Sequence, residues 1–155
     1  MSEIIKNKLF LGDIFDANNP SFLKQNNITT IISVAADACI KNDNKDINVY
    51  KYKLNDDYEC DISQYFDQIT QLIYHKNIVL VNCMAGISRS ATIVLVYLMR
   101  YYEVNLKEAF KYVRSKRSQI CPNKKFLEYL MQEEKKLFGY NSLTYKEFID
   151  LFFYT

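Results

Sequence analysis

The sequence predicts an α/β fold in which a central, mostly parallel, twisted sheet is flanked by helices. Three observations lead there. Apolar runs rich in β-branched residues, TTIISVA (29–35) and NIVLVNC (77–83), read as buried strands. Between and after them, apolar residues recur every three or four positions, the period of a half-buried helix. Strands alternating with helices close most simply as a parallel sheet covered on its faces. With 155 residues, 49% of them apolar and 25% charged, the chain can build one core and little more.

The elements follow in order. KLFLGDI (8–14) reads as a short strand closed by Gly12. Asn19-Pro20 is a helix entry, with asparagine as cap and proline at the first helical position. SFLKQNN forms that helix, and TTIISVA is the strand after it. The polar stretch from Asp37 to Asn48 is a loop, and NVYKYKL (48–54) alternates like a further strand. In DISQYFDQITQLIYH, Asp61 and Gln64 have capping-box spacing, and Ile62, Tyr65, Phe66, Ile69, Leu72 and Ile73 form a helical stripe. NIVLVNC is apolar enough for a central strand, and ATIVLVYLMRYY makes a buried helix. Asn105 and Glu108 open the next helix, which turns Leu106, Ala109, Phe110 and Val113 inward. Pro122-Asn123 opens another, carrying Phe126, Leu127, Leu130 and Met131. Thr144 and Glu147 cap a short aromatic tail helix from Phe148 to Phe153.

Composition narrows the function. A net charge of +2 is too mild to indicate nucleic-acid or membrane partners, so any basic surface must be local. The run ATIVLVYLM stops at Arg100, short of the roughly 18 residues of a membrane span. MSEIIKNK has no apolar signal core, so the expected location is the cytoplasm, with the nucleus as a second site. Cys39, Cys60, Cys83 and Cys121 are widely spaced without a CxxC pair, so free thiols and no metal site or cofactor are expected. His75, the only histidine, reads as a plain helix-end residue.

The stretch VNCMAGISRS (81–90) carries the chemistry. A strand runs into a glycine-containing loop and then a helix N-terminus, where backbone N–H groups converge and the dipole favours an anion. Cys83 opens the loop, Gly86 lets the backbone approach closely, and Arg89 offers a planar fork matched to two phosphate oxygens. The same field favours a thiolate. The loop amides from Met84, Ala85, Gly86, Ile87 and Ser88 would bind a phosphoryl group and Cys83 would attack it. Ser90 can hydrogen-bond the departing thiolate or cap the helix.

At this loop the chain resembles the dual-specificity protein phosphatases of the cysteine-dependent class. Their signature HC-x-x-G-x-S-R-S-A-T appears as NCMAGISRSAT. Phe10-Leu11-Gly12 matches the YLG-like start, and Asn27 to Val34 the GIT-x-I-x-N/S-V segment. Downstream, Glu108-Ala109-Phe110 through Arg117 and Pro122-Asn123 with Phe126 match further pieces. The likeness spans Ile4 to Phe138, implying the cysteine-dependent phosphatase fold in a catalytic domain of residues 1–140. Residues 141–155 are left as a helical tail, packed on the domain or lying at an interface, in a monomer or weak homodimer. In KLNDDYECDIS the family's proton-donating aspartate falls on Asp56, with Asp57 as rival and Asp61 capping its helix.

Asn82 stands where the family has histidine, so the loop keeps an amide donor there and loses a charge. Arg114, Lys116, Arg117, Lys124 and Lys125 form a basic stretch, either a solvated helix end or a contact for a second phosphate, with Arg117 the first candidate. Met84, Ala85, Ile87 and Ser88 are uncharged, whereas phosphoinositide phosphatases place lysines there and RNA triphosphatases have polar, histidine-bearing loops. The resemblance therefore implies phosphorylated proteins as partners, hydrolysed at tyrosine, serine and threonine. MAP kinases are admitted without support from any residue, since no docking domain is expected. Phosphobinding without turnover, and action on a non-protein phosphoester, are the alternatives.

Overall fold

A computed structural model describes residues 1–154, so Thr155, the last residue of the tail assigned above, lies outside the described residues. Five strands form one sheet: β1 (Ser2–Ile5), β2 (Leu9–Gly12), β3 (Thr30–Ser33), β4 (Asn48–Lys51) and β5 (Val79–Asn82). Their order is β1-β2-β5-β3-β4, with β1 antiparallel to β2 and the remaining pairs parallel. The helices are α1 (Ile14–Ala17), α2 (Pro20–Gln25), α3 (Phe66–His75), α4 (Arg89–Tyr102), α5 (Leu106–Lys116), α6 (Lys124–Phe138) and α7 (Tyr145–Phe153). Four residues, Ile62–Tyr65, form a 3-10 turn ahead of α3.

Alternation along the strands sorts the core. Leu9, Leu11, Ile32, Val79 and Val81 face the larger cluster beneath α3 to α7, while Phe10, Ile31 and Leu80 face a smaller one with Ile14, Ala17, Leu23 and Ile28. This is the period-two rule acting on a sheet buried on both faces. β5 lies between β2 and β3 with all four residues buried, which its unbroken apolar run requires. α4 is buried from Arg89 to Met99 and touches α3, α5, α6, β2 and β5.

Two elements are additional to those read from sequence. β1 has only Ile4 and Ile5 as apolar residues, and its pairing with β2 defines it. α1 is a single turn held by a reciprocal cap, Asp16 N–H to Asp13 Oδ1 and Asp13 N–H to Asp16 Oδ2. One cap differs. Asp61 accepts from Ser63 N–H, but Gln64 donates to the Asp61 carbonyl, so a 3-10 turn replaces the expected capping box. At the other caps the geometry is as read: Asn19 with Pro20, Asn105, Asn123 and Thr144 each accept from the N–H three residues on.

α7 turns Phe148 and Phe152 inward, and Phe152 stacks on Phe110 with ring centroids 3.9 Å apart. The guanidinium of Arg114 donates to the carbonyls of Leu151 and Phe152 at the end of α7, and to Ile120. Buried Glu134 accepts from Leu106 N–H, Ser142 N–H, Ser142 Oγ and Asn141 Nδ2, fixing the turn that leads to α7.

Candidate active site

The loop from Cys83 to Ser88 leaves the end of β5, at the carboxyl edge of four parallel strands, and enters α4 at Arg89. Its conformation follows from where its carbonyls go. Met84 C=O accepts from Ile14 N–H at 3.1 Å, and Ile87 C=O from Cys121 N–H at 2.8 Å. Ser88 C=O accepts from Thr92 N–H and Oγ1. Gly86 C=O accepts from Arg117 Nε at 2.8 Å, and Ala85 C=O from its Nη2 at 3.4 Å. Five carbonyls are thus held from outside. In a planar trans peptide the N–H points opposite to the C=O, so the following amides turn inward. Gly86 N–H reaches Cys83 Sγ at 3.2 Å, and Ser90 Oγ lies 3.0 Å from the same sulfur. Gly86 adopts φ +67°, the left-handed region that favours glycine. A Cβ there would stand 2.6 Å from Gly12 O and 2.5 Å from Arg117 Nη2.

Cys83 is 2% exposed, and Arg89, at 6%, enters the site from the first turn of α4. Its Nη1 donates to Asp37 Oδ1 at 2.6 Å and to Leu54 C=O at 3.0 Å, while Nη2 lies 3.4 Å from Asp37 Oδ2. Nε is buried without a partner among the described residues. The outer edge of the guanidinium is therefore anchored, and its Nε remains for a ligand. In return Asp37 is held below the usual carboxylate range, chiefly by that hydrogen bond. Sequence reading placed Asp37 at the start of a polar loop and assigned it nothing; its contact with Arg89 spans 52 residues and leaves no local signal.

Asp56 stands beside the loop. Its Oδ1 accepts from Ser88 Oγ at 2.7 Å and from Asn123 Nδ2 at 2.8 Å. The rival Asp57 uses Oδ1 to accept from Glu59 N–H and Cys60 N–H, which shapes its own turn. Ser90 does not cap α4; its hydroxyl faces the sulfur, and Ser88, at the cap position, spends its hydroxyl on Asp56 instead. Asn82 is fully buried and donates from Nδ2 to Cys83 C=O at 3.1 Å, so the amide supports the start of the loop.

Arg117 is a correction. Named as the first candidate for a second-phosphate contact, with a solvated helix end as the other reading, it is 6% exposed and grips the loop from behind through Gly86 and Ala85, with Nη1 on Ser2 Oγ. A guanidinium that satisfies the carbonyls on the back of the loop cannot also present those donors to solvent. The rest of the basic stretch is also engaged: Arg114 with α7, Lys116 over Tyr112, Lys124 over Phe153, and Lys125 with Glu128 and the Tyr129 ring. Cys121 turns Sγ toward Phe152 C=O at 3.5 Å, and burial pushes its thiol up. No group of three or more potential metal-ligating side chains is found among the described residues.

A buried thiol with Gly86 N–H on its sulfur, a half-anchored arginine and a carboxylate beside the loop form an arrangement suited to a phosphate group, on a mostly parallel sheet. Residues 9–136 match the family model for the dual specificity phosphatase catalytic domain. The chain is 40% identical over 140 residues to dual specificity protein phosphatase 1B of Arabidopsis thaliana, covering 87% of this chain and 83% of that one. It is also 40% identical over 136 residues to human dual specificity protein phosphatase 1, covering 83% of this chain but spanning 36% of the relative's length. The solved structure of human DUSP28 shares the fold, with a TM-score of 0.82, 24% identity and coverage of 90% of this chain and 99% of that one. The chain belongs to the dual-specificity phosphatase family and is a dual-specificity protein phosphatase.

Proposed function

We propose that the protein hydrolyses phosphotyrosine and phosphoserine or phosphothreonine in proteins through a cysteinyl-phosphate intermediate, with Cys83 as nucleophile, Arg89 as phosphate clamp and Asp56 as proton donor. The observation that carries this reading is the set of outward-held carbonyls, which turns the loop amides inward and sets Gly86 N–H on the sulfur of Cys83. In the first step the Cys83 thiolate forms a bond to phosphorus. The phosphorus–oxygen ester bond breaks, and its electron pair leaves on oxygen, which takes a proton from Asp56. In the second step the Asp56 carboxylate removes a proton from water and the water oxygen attacks phosphorus. The P–S bond then breaks, Ser90 donates to the departing sulfur, and inorganic phosphate is released. Amides and guanidinium hold the equatorial oxygens where charge builds.

A protein substrate is supported by the rim. Met84 is 41% exposed at the loop, and Phe15 and Tyr58, on α1 and the acid loop, are 78% and 60% exposed. Side chains of this kind suit a polypeptide flanking the phosphorylated residue more than a polyanionic lipid headgroup. The test is release of phosphate from phosphotyrosyl and phosphothreonyl peptides near pH 6 with chelator present. Wild type should turn over both, Cys83→Ser neither, and Asp56→Asn should be slowed about 10²–10⁴-fold. Turnover surviving in Cys83→Ser would refute the intermediate, and an inert wild type that still binds vanadate would make the chain a phosphobinding module.

A further inference from the structure

β3 and β5 end side by side where the phosphate loop begins, and their last residues, Ser33 and Asn82, are register partners in a parallel pair. Ile31 and Leu80, two positions earlier, face the smaller core cluster, so by the period of two Ser33 and Asn82 face the same way. Their exposure is 2% and 0%. Yet Ser33 Oγ and Asn82 Oδ1 both lack a hydrogen-bond partner among the described residues. The identity of the open atom on Asn82 is settled by its neighbour. Nδ2 donates to Cys83 C=O at 3.1 Å, and reversing the amide would set oxygen against oxygen. Asn82 Oδ1 is therefore an acceptor in need of a donor, and Ser33 holds a donor in need of an acceptor. No direct bond joins the two. Strands about 4.8 Å apart hold such atoms at the separation that one water spans with two bonds of roughly 2.8 Å.

We infer that a water molecule is bound between Ser33 and Asn82, donating to Asn82 Oδ1 and accepting the Ser33 hydroxyl hydrogen, and that this water fixes the Asn82 amide on the carbonyl of Cys83. Unmet polar atoms this deeply buried are costly, and a water with two or more polar partners is the ordinary means of satisfying them. Serine ends at its γ atom, so it leaves room beside the longer Asn82 and Ile31 side chains. The open acceptor exists because residue 82 is asparagine. An imidazole here would set Nδ1 on the Cys83 carbonyl and a ring carbon at the place of Oδ1, leaving nothing to satisfy. The bonds run from Ser33 through water and Asn82 to the Cys83 carbonyl, at the first peptide of the loop. Bonds in series strengthen one another, since a donor on Oδ1 draws charge from Nδ2 and makes its N–H a better donor. Ser33 is thus a positioning residue. Its effect on turnover rests on Cys83 acting as nucleophile, whereas the water does not.

High-resolution crystal structures of the full chain, wild type and Ser33→Ala, test the water directly. Expected in wild type is one ordered water within hydrogen-bond distance of Ser33 Oγ and Asn82 Oδ1, absent from Ser33→Ala. A dry site, or a Ser33 hydroxyl bonded straight to Asn82 Oδ1, would overturn the inference. Kinetics test what the water does. With a phosphotyrosyl peptide, kcat/KM of Ser33→Ala should fall about fivefold, and Ser33→Thr, which keeps the hydroxyl, should stay within about twofold of wild type. In an Asn82→Leu background, which has neither amide atom, Ser33→Ala should cost no further activity, because Ser33 acts through the amide. Melting curves of every variant separate loss of fold from loss of alignment. Equal kcat/KM in wild type and Ser33→Ala, or the same loss in both backgrounds, would overturn the positioning role. Turnover that survives Cys83→Ser would overturn the nucleophile assignment instead, and the crystallographic water would stand on its own evidence.

Discussion

Arg89 shows how one residue is prepared for an anion before any anion arrives. Burial would be costly for an uncompensated guanidinium, and Asp37 with Leu54 C=O supplies the compensation on one edge only. Asp37→Asn removes the charged partner while leaving Leu54. A charge-assisted bond to a half-exposed carboxylate is a modest constraint, so kcat/KM for a phosphopeptide is expected to fall about fivefold, measured by initial rates. An unchanged value would mean that Leu54 alone orients the arginine. Gly86 carries the opposite kind of constraint, one of space. Gly86→Ala would set a methyl against the Gly12 carbonyl, in a backbone region that side chains disfavour. The cost is expected to be at least ~2 kcal/mol in urea denaturation, with loss of activity because the clash displaces the Gly86 N–H that meets Cys83 Sγ.

At the scale of elements, α7 is joined to the site through shared partners. Arg114 binds the last carbonyls of α7 and the carbonyl of Ile120, and the next residue, Cys121, donates its N–H to the Ile87 carbonyl of the phosphate loop. Phe152 fills the space between α7 and α5 by stacking on Phe110. Phe152→Ala should therefore cost about 3–5 kcal/mol of stability. Thr144→Ala, which removes the hydroxyl from a reciprocal cap at the exposed start of α7, should cost only about 1 kcal/mol. Chemical denaturation of both variants checks the ranking, and equal losses would mean that α7 is held by its start rather than by Phe152.

For the whole molecule, two arginines make ion pairs between distant parts: Arg89 with Asp37, and Arg100 with Asp67 on α3 and with Glu133 on α6. Hydrogen bonds from the arginines hold Asp37 and Asp67 below their ordinary carboxylate range. A depressed carboxylate stabilises the fold above its unfolded value near ~3.9, and that contribution is lost as pH falls through the folded value. The melting temperature should consequently drop as pH is lowered from about 5 to 3. Both aspartates are largely exposed, so their share is small and weakened by salt. Replacing both by asparagine should make the acid limb shallower at low ionic strength; an unaltered limb would assign it to other carboxylates.

Much of the fold was legible because it is written in local periodicity. VLVN between two other apolar runs fits a central strand, and asparagine, proline and threonine caps mark helix starts within a residue or two. The order C-M-A-G-I-S-R-S likewise fixed which residues share one loop, since neighbours along the chain cannot be far apart in space. Tertiary structure alone decided what surrounds that loop. Asp37, Ile14, Arg117, Cys121 and Asn123 are scattered over more than a hundred residues, and their roles arise from the crossover order of the sheet. Arg117 illustrates the difference: its charge suggested a phosphate, and burial gave it carbonyls instead. Sequence determined the chemistry available to this protein, because residue types and short spacings are local properties. The folded chain decided which of those groups face the phosphate and which hold the loop, because that choice depends on contacts between residues that only folding brings together.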